Sequence, residues 1–446
     1  MSLVSYTSAS TDSPHSSAES SARRRLRSFV PYLVASVFLI IYSAWSINKH
    51  ERLLTAGYDL GIFEQAVRGY AHLGAPISAI KGPGFNLFGD HFHPILILVA
   101  PFYRIFPSPI TLLVAQATLI AASAIPVTKI AIKFGGIVAG LGVGLAYGLS
   151  WALQSAIAFD FHEVAFAVTM VSFSLAAIIE ERWRRAAIWA IPLVFVKEDL
   201  PVTLAAIGLV IVLRGQRRLG AALIGFAAVS GTAIVGLVVP AFNPYHAYPY
   251  SLNQSPSDQG PIARFFTPAT KWTTFAWILI PSGLLAPFSS IFLVAVPTLL
   301  WRFWSTNPPY WGMSYQYSAI LMPIAFIASL ESMSRLRFFQ RDVRRRWGVS
   351  LIMLATAVIG TYQIPGKLHG FTDGKNWHIS REVAAEKAIL RSIPDGSTVA
   401  ADNRLAAQLT SRCTVYFFPG YPGDGTDPEW VVYSTLSTRA SPTTRG

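Results

Sequence analysis

Long apolar runs, not alternation, set the pattern of this chain. Stretches of mostly apolar residues recur at 29–48, 109–128, 134–157, 164–181, 186–197, 200–213, 219–240, 273–286, 288–303, 317–333 and 347–364. Runs of this length and polarity predict an all-α polytopic membrane protein of about 11 transmembrane helices. Period-two alternation is absent from them, which argues against an outer-membrane barrel. Residues 94–106 are apolar enough to enter a membrane, yet Pro94, Pro101, Pro107 and Pro109 break them up. They read as an interfacial helix outside the membrane, with Arg104 snorkelling to the surface.

The tail changes character. Residues 380–392 read as an amphipathic helix, and Pro394-Asp395-Gly396 as a turn. Residues 397–401, 413–418 and 430–433 read as strands, with a short helix at 404–411. The expected organisation is a disordered basic N-terminus (1–28), a transmembrane bundle (29–364) and a small C-terminal α/β domain (365–446). The bundle would carry outer loops at 49–108, 241–272 and 304–316. At this size the tail domain can hold only a modest core, so it should lean on the bundle.

Composition agrees. Of 446 residues, 52% are hydrophobic and 13% charged, and mean hydropathy is +0.43; a soluble protein carries about a quarter charged residues. The net charge of +13 gathers in short arginine runs at helix ends. These are Arg23–Arg27, Arg182–Arg185, Arg214–Arg218 and Arg335–Arg346. That is the pattern of positive-inside loops rather than of a nucleic-acid face. Placing those runs in the cytoplasm puts the N-terminus inside and the tail domain outside, in a multi-pass protein of the plasma membrane. The same assignment puts every acidic cluster outside. Cys413 is the single cysteine, which excludes an intrachain disulfide and a cysteine-based zinc site.

Those acidic clusters are the candidate chemistry. Tyr58-Asp59-Leu60-Gly61-Ile62-Phe63-Glu64 follows the first span. Gly89-Asp90-His91-Phe92-His93-Pro94 lies further along the same outer loop, and Asp160-Phe161-His162-Glu163 and Lys197-Glu198-Asp199 lie at ends of other apolar runs. Ionisable groups at the mouth of an apolar bundle are costly, and so many acids exceed structural duty. Asp59 could act as a general base toward an acceptor hydroxyl; it could equally cap the helix that follows. Asp90 and His91 could ligate a divalent cation such as Mg or Mn, or simply start a polar helix. Lys197 could pair with a phosphate oxygen, or neutralise its acidic neighbours. Aromatic loops at 241–250 and 304–317, including Tyr315 and Tyr317, would suit stacking on a sugar ring or form an interfacial belt. No Walker A loop, GxGxxG, HExxH or GxSxG occurs.

Taken together, Tyr58-Asp-Leu-Gly-Ile-Phe-Glu-Gln-Ala, Gly89-Asp-His-Phe-His-Pro-Ile-Leu, Asp160-Phe-His-Glu-Val-Ala, Lys197-Glu-Asp-Leu, Tyr315-Gln-Tyr-Ser-Ala-Ile-Leu-Met-Pro and Ile393-Pro-Asp-Gly-Ser-Thr-Val-Ala-Ala resemble one family. It is a group of predicted membrane proteins known as domain of unknown function two thousand and seventy-nine. The resemblance spans about residues 30–435. That family in turn looks like a branch of the GT-C glycosyltransferases, which use polyprenyl-phosphate-linked sugars and keep an essential Asp in the first outer loop. The resemblance implies that Asp59 is that acid and that Asp160 or Glu163 is a second one. The Asp-Phe-His-Glu spacing departs from the paired acids of GT-C enzymes.

The resulting expectation is a membrane glycosyltransferase. Its donor would be a polyprenyl-phosphate sugar, and its acceptor an envelope glycan, lipid or protein. Asp59, Asp160 and Glu163 would be catalytic. Tyr58, Glu64, His162, Lys197, Glu198, Asp199, Tyr315 and Tyr317 would bind substrate, and Asp90 and His91 would hold a metal. The alternatives are a transporter or lipid flippase, with the acids as an ion or proton path, and a non-catalytic scaffold.

Overall fold

The computed structural model describes residues 14–250, 260–364, 368–420 and 427–434. The far N-terminus, part of the 241–272 loop and the end of the tail lie outside them. The described chain is mostly helical, with one small sheet. Helix α1 (Pro14–Glu51) begins inside the segment expected to be disordered.

Among the described residues, four helical stretches are long and apolar enough to cross a membrane: Arg24–Glu51, Pro109–Gly148, Arg217–Phe242 and Gln316–Arg335. Gln316–Arg335 is almost wholly buried, whereas Arg24–Glu51 and Arg217–Phe242 turn apolar residues outward, with Ile40, Val229 and Leu237 exposed at 68%, 72% and 70%. Water would not favour such a surface, whereas lipid does.

Helix α3 (Pro109–Gly148) combines two of the expected runs. Ser108 caps its start by accepting from the Ile110 amide, and Pro109 supplies the first helical φ. It folds back at Gly135-Gly136, where Gly136 takes φ +75°, a region that favours glycine. The two arms then lie antiparallel and very close. A Cβ at Gly144 would sit 2.5 Å from the Thr128 hydroxyl, and one at Gly140 would sit 2.3 Å from Ile132. Small residues permit this approach, as they do between membrane helices generally. Ser123 and Tyr147 close the gap with a 2.7 Å hydroxyl pair, and α1 packs along the hairpin.

The other long-chain elements are α4 (Val164–Ile179), α5 (Leu200–Leu213), α6 (Arg217–Ala233), α7 (Leu321–Arg335) and α8 (Val343–Gln363). The turn end of the α3 hairpin gathers the cations. Lys133 pairs with Glu180, and Arg346 donates to the Phe134 carbonyl at 2.8 Å. Near the foot of α7, Arg214 and Arg335 both reach Glu331 at 2.6 Å. The opposite end of the hairpin leads into the acidic clusters. There, residues 94–106 form two short helices, Pro94–Leu98 and Ala100–Ile105, too short to cross a bilayer. Arg104 is exposed, as expected, and also donates to the Ala71 carbonyl at 2.9 Å.

The tail forms α9 (Arg381–Ser392), β1 (Thr398–Ala401), α10 (Asn403–Ala406), β2 (Thr414–Phe417) and β3 (Trp430–Val432). The three strands are parallel, in the order β2-β1-β3, with Val399 opposite both Val415 and Trp430. Their apolar core is shared. Val399, Leu405, Leu409, Cys413 and Val415 pack with Leu53, Ile62, Ala66 and Leu87 of the segment that follows α1. Helix α2 (Ile62–Ala71) therefore has one face on the bundle and one on the tail.

Candidate functional site

Four clusters that lie far apart in sequence meet at one end of the bundle. They interlock as a ladder in which each segment offers an acid to one neighbour and a base to the next. His162 Nε2 stands 3.2 Å from Asp59 Oδ1. The adjacent Glu163 stands 3.2 Å from the Lys197 ammonium. The adjacent Glu198 accepts from His91 Nδ1 at 2.6 Å and from the Phe92 amide at 3.1 Å. The adjacent Asp90 meets Lys81 at 2.9 Å and the Tyr250 hydroxyl at 2.6 Å. Acids and bases alternate throughout, which is how so many ionisable groups can be held out of water together.

The ladder's electrostatics follow from that alternation. Burial alone would raise the Glu163 carboxyl, but Lys197 and then His162 outweigh it and hold it at about 2. Burial likewise works against Glu198, and His91 followed by Lys197 brings it to about 2. Burial opposes charge on His162, yet Asp59 and then Glu163 lift the imidazole above its usual value. Asp199 lacks such a partner. Burial, only partly opposed by Lys197, pushes it to about 6, and its Oδ1 makes no hydrogen bond. Burial lowers the neighbouring His93 to about 4.

Asp59 is the open end of the ladder. Its side chain is 34% exposed, against 4% for its partner His162. It sits in a tight turn at Gly57–Gly61 with φ +82° and ψ −85°, near the geometry of the rare, strained γ-turn. No side-chain cap bond forms at the start of α2, so the capping reading of Asp59 does not hold. A non-glycine residue held this way costs about 1–3 kcal/mol and persists only where its surroundings enforce it. The contact with His162 is electrostatic, since neither ring nitrogen has an aligned hydrogen-bond partner. Phe159 stacks on His162 with ring centroids 5.0 Å apart, and Tyr315 meets Phe159 edge-on at 4.5 Å. Tyr317 joins Tyr310 and Trp301 behind them.

Several expected site residues serve elsewhere. Asp160 does not face Asp59. Its carboxylate takes Lys49 at 3.1 Å and the Ala56 amide at 2.8 Å, bracing the turn from below. Glu64 is fully buried and accepts from Tyr103 at 2.9 Å and from Thr410. It joins α2 to the tail. Lys197 and Glu198 are occupied by ladder partners. The expected metal pair fares no better: Asp90 is taken by Lys81 and Tyr250, and His91 by Glu198 while stacking on Tyr250 at 4.4 Å. Among the described residues no group of three or more His, Cys, Asp or Glu is disposed to hold a cation. So paired, Asp90 and His91 do not offer the free donor set that a divalent metal takes.

Sequence reasoning missed the supporting cast. Gln116, deep in α3, donates to the Asp160 carbonyl and accepts from the His162 amide at 2.7 Å, fixing that loop. Lys81 supplies a ladder cation and Lys49 the cation of the brace. Both lie in residues 49–108, expected from the sequence to be an outer loop, where basic residues are disfavoured.

An apolar outer surface and membrane-length helices define an integral membrane protein. The chain belongs to the family described as Predicted membrane protein (DUF2079), whose model matches residues 49–445. No curated protein matches it.

Proposed function

We propose that this protein is a membrane glycosyltransferase that transfers a sugar from a polyprenyl-phosphate donor to an envelope glycan, lipid or protein. The observation that supports it best is Asp59: a half-open carboxylate in a strained turn, 3.2 Å from a buried imidazole. Asp160 shares the positive φ, at +84°, but its carboxylate is taken by Lys49 and the Ala56 amide; strain at an acid left open at the head of a charged network is a common mark of a reacting group. In this reading Asp59 takes the proton of an acceptor hydroxyl. The freed oxygen attacks the anomeric carbon, the bond from that carbon to the phosphate oxygen breaks, and polyprenyl phosphate leaves with the bonding pair. His162, whose charged form Asp59 and then Glu163 favour against burial, steadies the departing phosphate. Lys197 acts one step further back by fixing Glu163. Tyr58, 42% exposed beside Asp59, offers a stacking face for a sugar.

The same reading takes the chain as crossing the plasma membrane about eleven times, with the arginine-rich end cytoplasmic and the ladder and tail outside. Reversals of the chain at Gly135-Gly136, Arg182, Arg214 and Arg337–Gln340 all leave basic residues at one end. A transport reading draws on the same acids, but the ladder runs across one end of the bundle rather than through it.

The test is glycan and lipid analysis of a deletion strain carrying wild-type or Asp59→Asn protein. The expected result is a sugar missing from one envelope component, accumulated donor, and restoration by wild type alone at equal protein level. An unchanged envelope, or full restoration by Asp59→Asn, removes the base assignment.

A further inference from the structure

The turn that carries Asp59 is held from outside as well as from below. Asn403, at the start of α10 in the tail, accepts the Tyr58 amide proton on Oδ1 at 2.8 Å. The Tyr58 ring meets Phe417 of β2 edge-on at 4.6 Å. Gly57 lies flat on α10, where an added Cβ would come 2.5 Å from the Ala406 methyl. On the other side, Asp160 accepts the Ala56 amide at 2.8 Å. The amides of Ala56 and Tyr58 are thus both fixed by side chains, three and one residues before Asp59. Two clamps of opposite origin, one from the bundle and one from the tail, bracket a residue at φ +82°. A γ-like turn of this hand does not persist unaided.

We propose that Asn403 is a positioning residue for Asp59, so that the tail domain is a working part of the candidate active site rather than an attached acceptor module. The role rests on the reading of Asp59 as the base. Without the Asn403 acceptor the Tyr58 amide is released, the turn relaxes toward an ordinary negative φ, and the carboxylate swings off the line to His162. Misplacement of a reacting group by about 1 Å lowers rates by as much as a hundredfold without loss of the fold.

The experiment uses full-length protein in the deletion strain, with Asn403→Ala, Asn403→Asp and Asn403→Ser beside wild type and Asp59→Asn. Asp keeps the acceptor oxygen in place, whereas Ser is too short to reach. Two quantities are read: the rate at which the missing glycan is restored, and amide exchange of the peptide containing Tyr58 in purified protein. The expected result is normal insertion of Asn403→Ala, Tyr58 exchange faster by about tenfold or more, and glycan restoration slowed by about tenfold or more. Asn403→Asp should return both toward wild type. Should Asn403→Ala fail to accumulate, Asn403→Ser carries the same expectation. Unchanged exchange, or fast exchange with wild-type restoration, overturns the proposal. Loss in every Asn403 variant, Asp included, also overturns it, because then bulk rather than the hydrogen bond matters. If Asp59→Asn is inactive while Asn403→Ala is active, only the positioning role falls. If Asp59→Asn is itself active, the base reading falls and this role falls with it.

Discussion

Replacing Lys197 by Met removes one rung of the ladder and leaves its partner stranded. Glu163 has a side chain only 3% exposed, and its Oε2 has no hydrogen-bond partner. Lys197 stands 3.2 Å from its other oxygen. At an effective dielectric of about 20, two unit charges at that separation attract by roughly 5 kcal/mol. A second route gives a similar size. A carboxyl brought from its ordinary 4.5 to about 2 is favoured as the anion by roughly 3 kcal/mol. Breaking a buried pair by removing one member costs about 3–5 kcal/mol. The expected outcome is therefore a loss of about 3–5 kcal/mol at pH 7, read as a lower unfolding midpoint of detergent-solubilised protein followed by tryptophan fluorescence.

The sign with pH separates this from simple loss of packing. In wild type the Glu163 carboxyl is depressed, so its contribution is present above 4.5 and fades only as pH falls through about 2. In Lys197→Met, burial is the largest remaining influence and raises the carboxyl. The variant should then regain stability relative to wild type as pH falls from 7 to 5. Adding Glu163→Gln should restore much of the loss at pH 7, since a neutral amide leaves no stranded charge. A single variant as stable as wild type at pH 7, or a double variant less stable than the single, would refute the ladder as an energetic unit.

Further outcomes follow from other contacts. Burial pushes Glu64 up to about 7 against the Thr410 and Tyr103 hydroxyls. A raised carboxyl stabilises fully below 4.5 and loses that contribution as pH rises through about 7, so protection of the tail from protease should weaken between pH 5 and 8. Glu64→Gln should flatten that dependence; an unchanged slope would show that another group sets it. Gly57→Ala forces a methyl against Ala406 and should destabilise by about 1–3 kcal/mol, with earlier proteolysis of the tail than in wild type. Equal proteolysis would mean that the turn and α10 are not in firm contact.

The helical, membrane class of this protein was legible because apolar run length and arginine placement are local properties of the chain. The tail strands and helix at 380–392 were legible for the same reason: β1, β2, β3 and α9 fall within the expected segments. The sequence also marked where chemistry-bearing residues lie, since acids and histidines at span ends are costly wherever they are found. It could not pair them. Asp59 to His162, Glu163 to Lys197 and Glu198 to His91 are contacts between segments up to about a hundred residues apart, and no local preference encodes which acid meets which base. Tertiary structure alone decided that Asp160 and Glu64 brace and join while Asp59 stays open. It also decided that Asn403, with nothing in its neighbourhood to single it out, lies against the turn before Asp59. Solvation supplies the physical reason. A short apolar run reports its own preference for lipid, but the role of a carboxylate depends on what surrounds it, and only the assembled bundle and tail supply those surroundings.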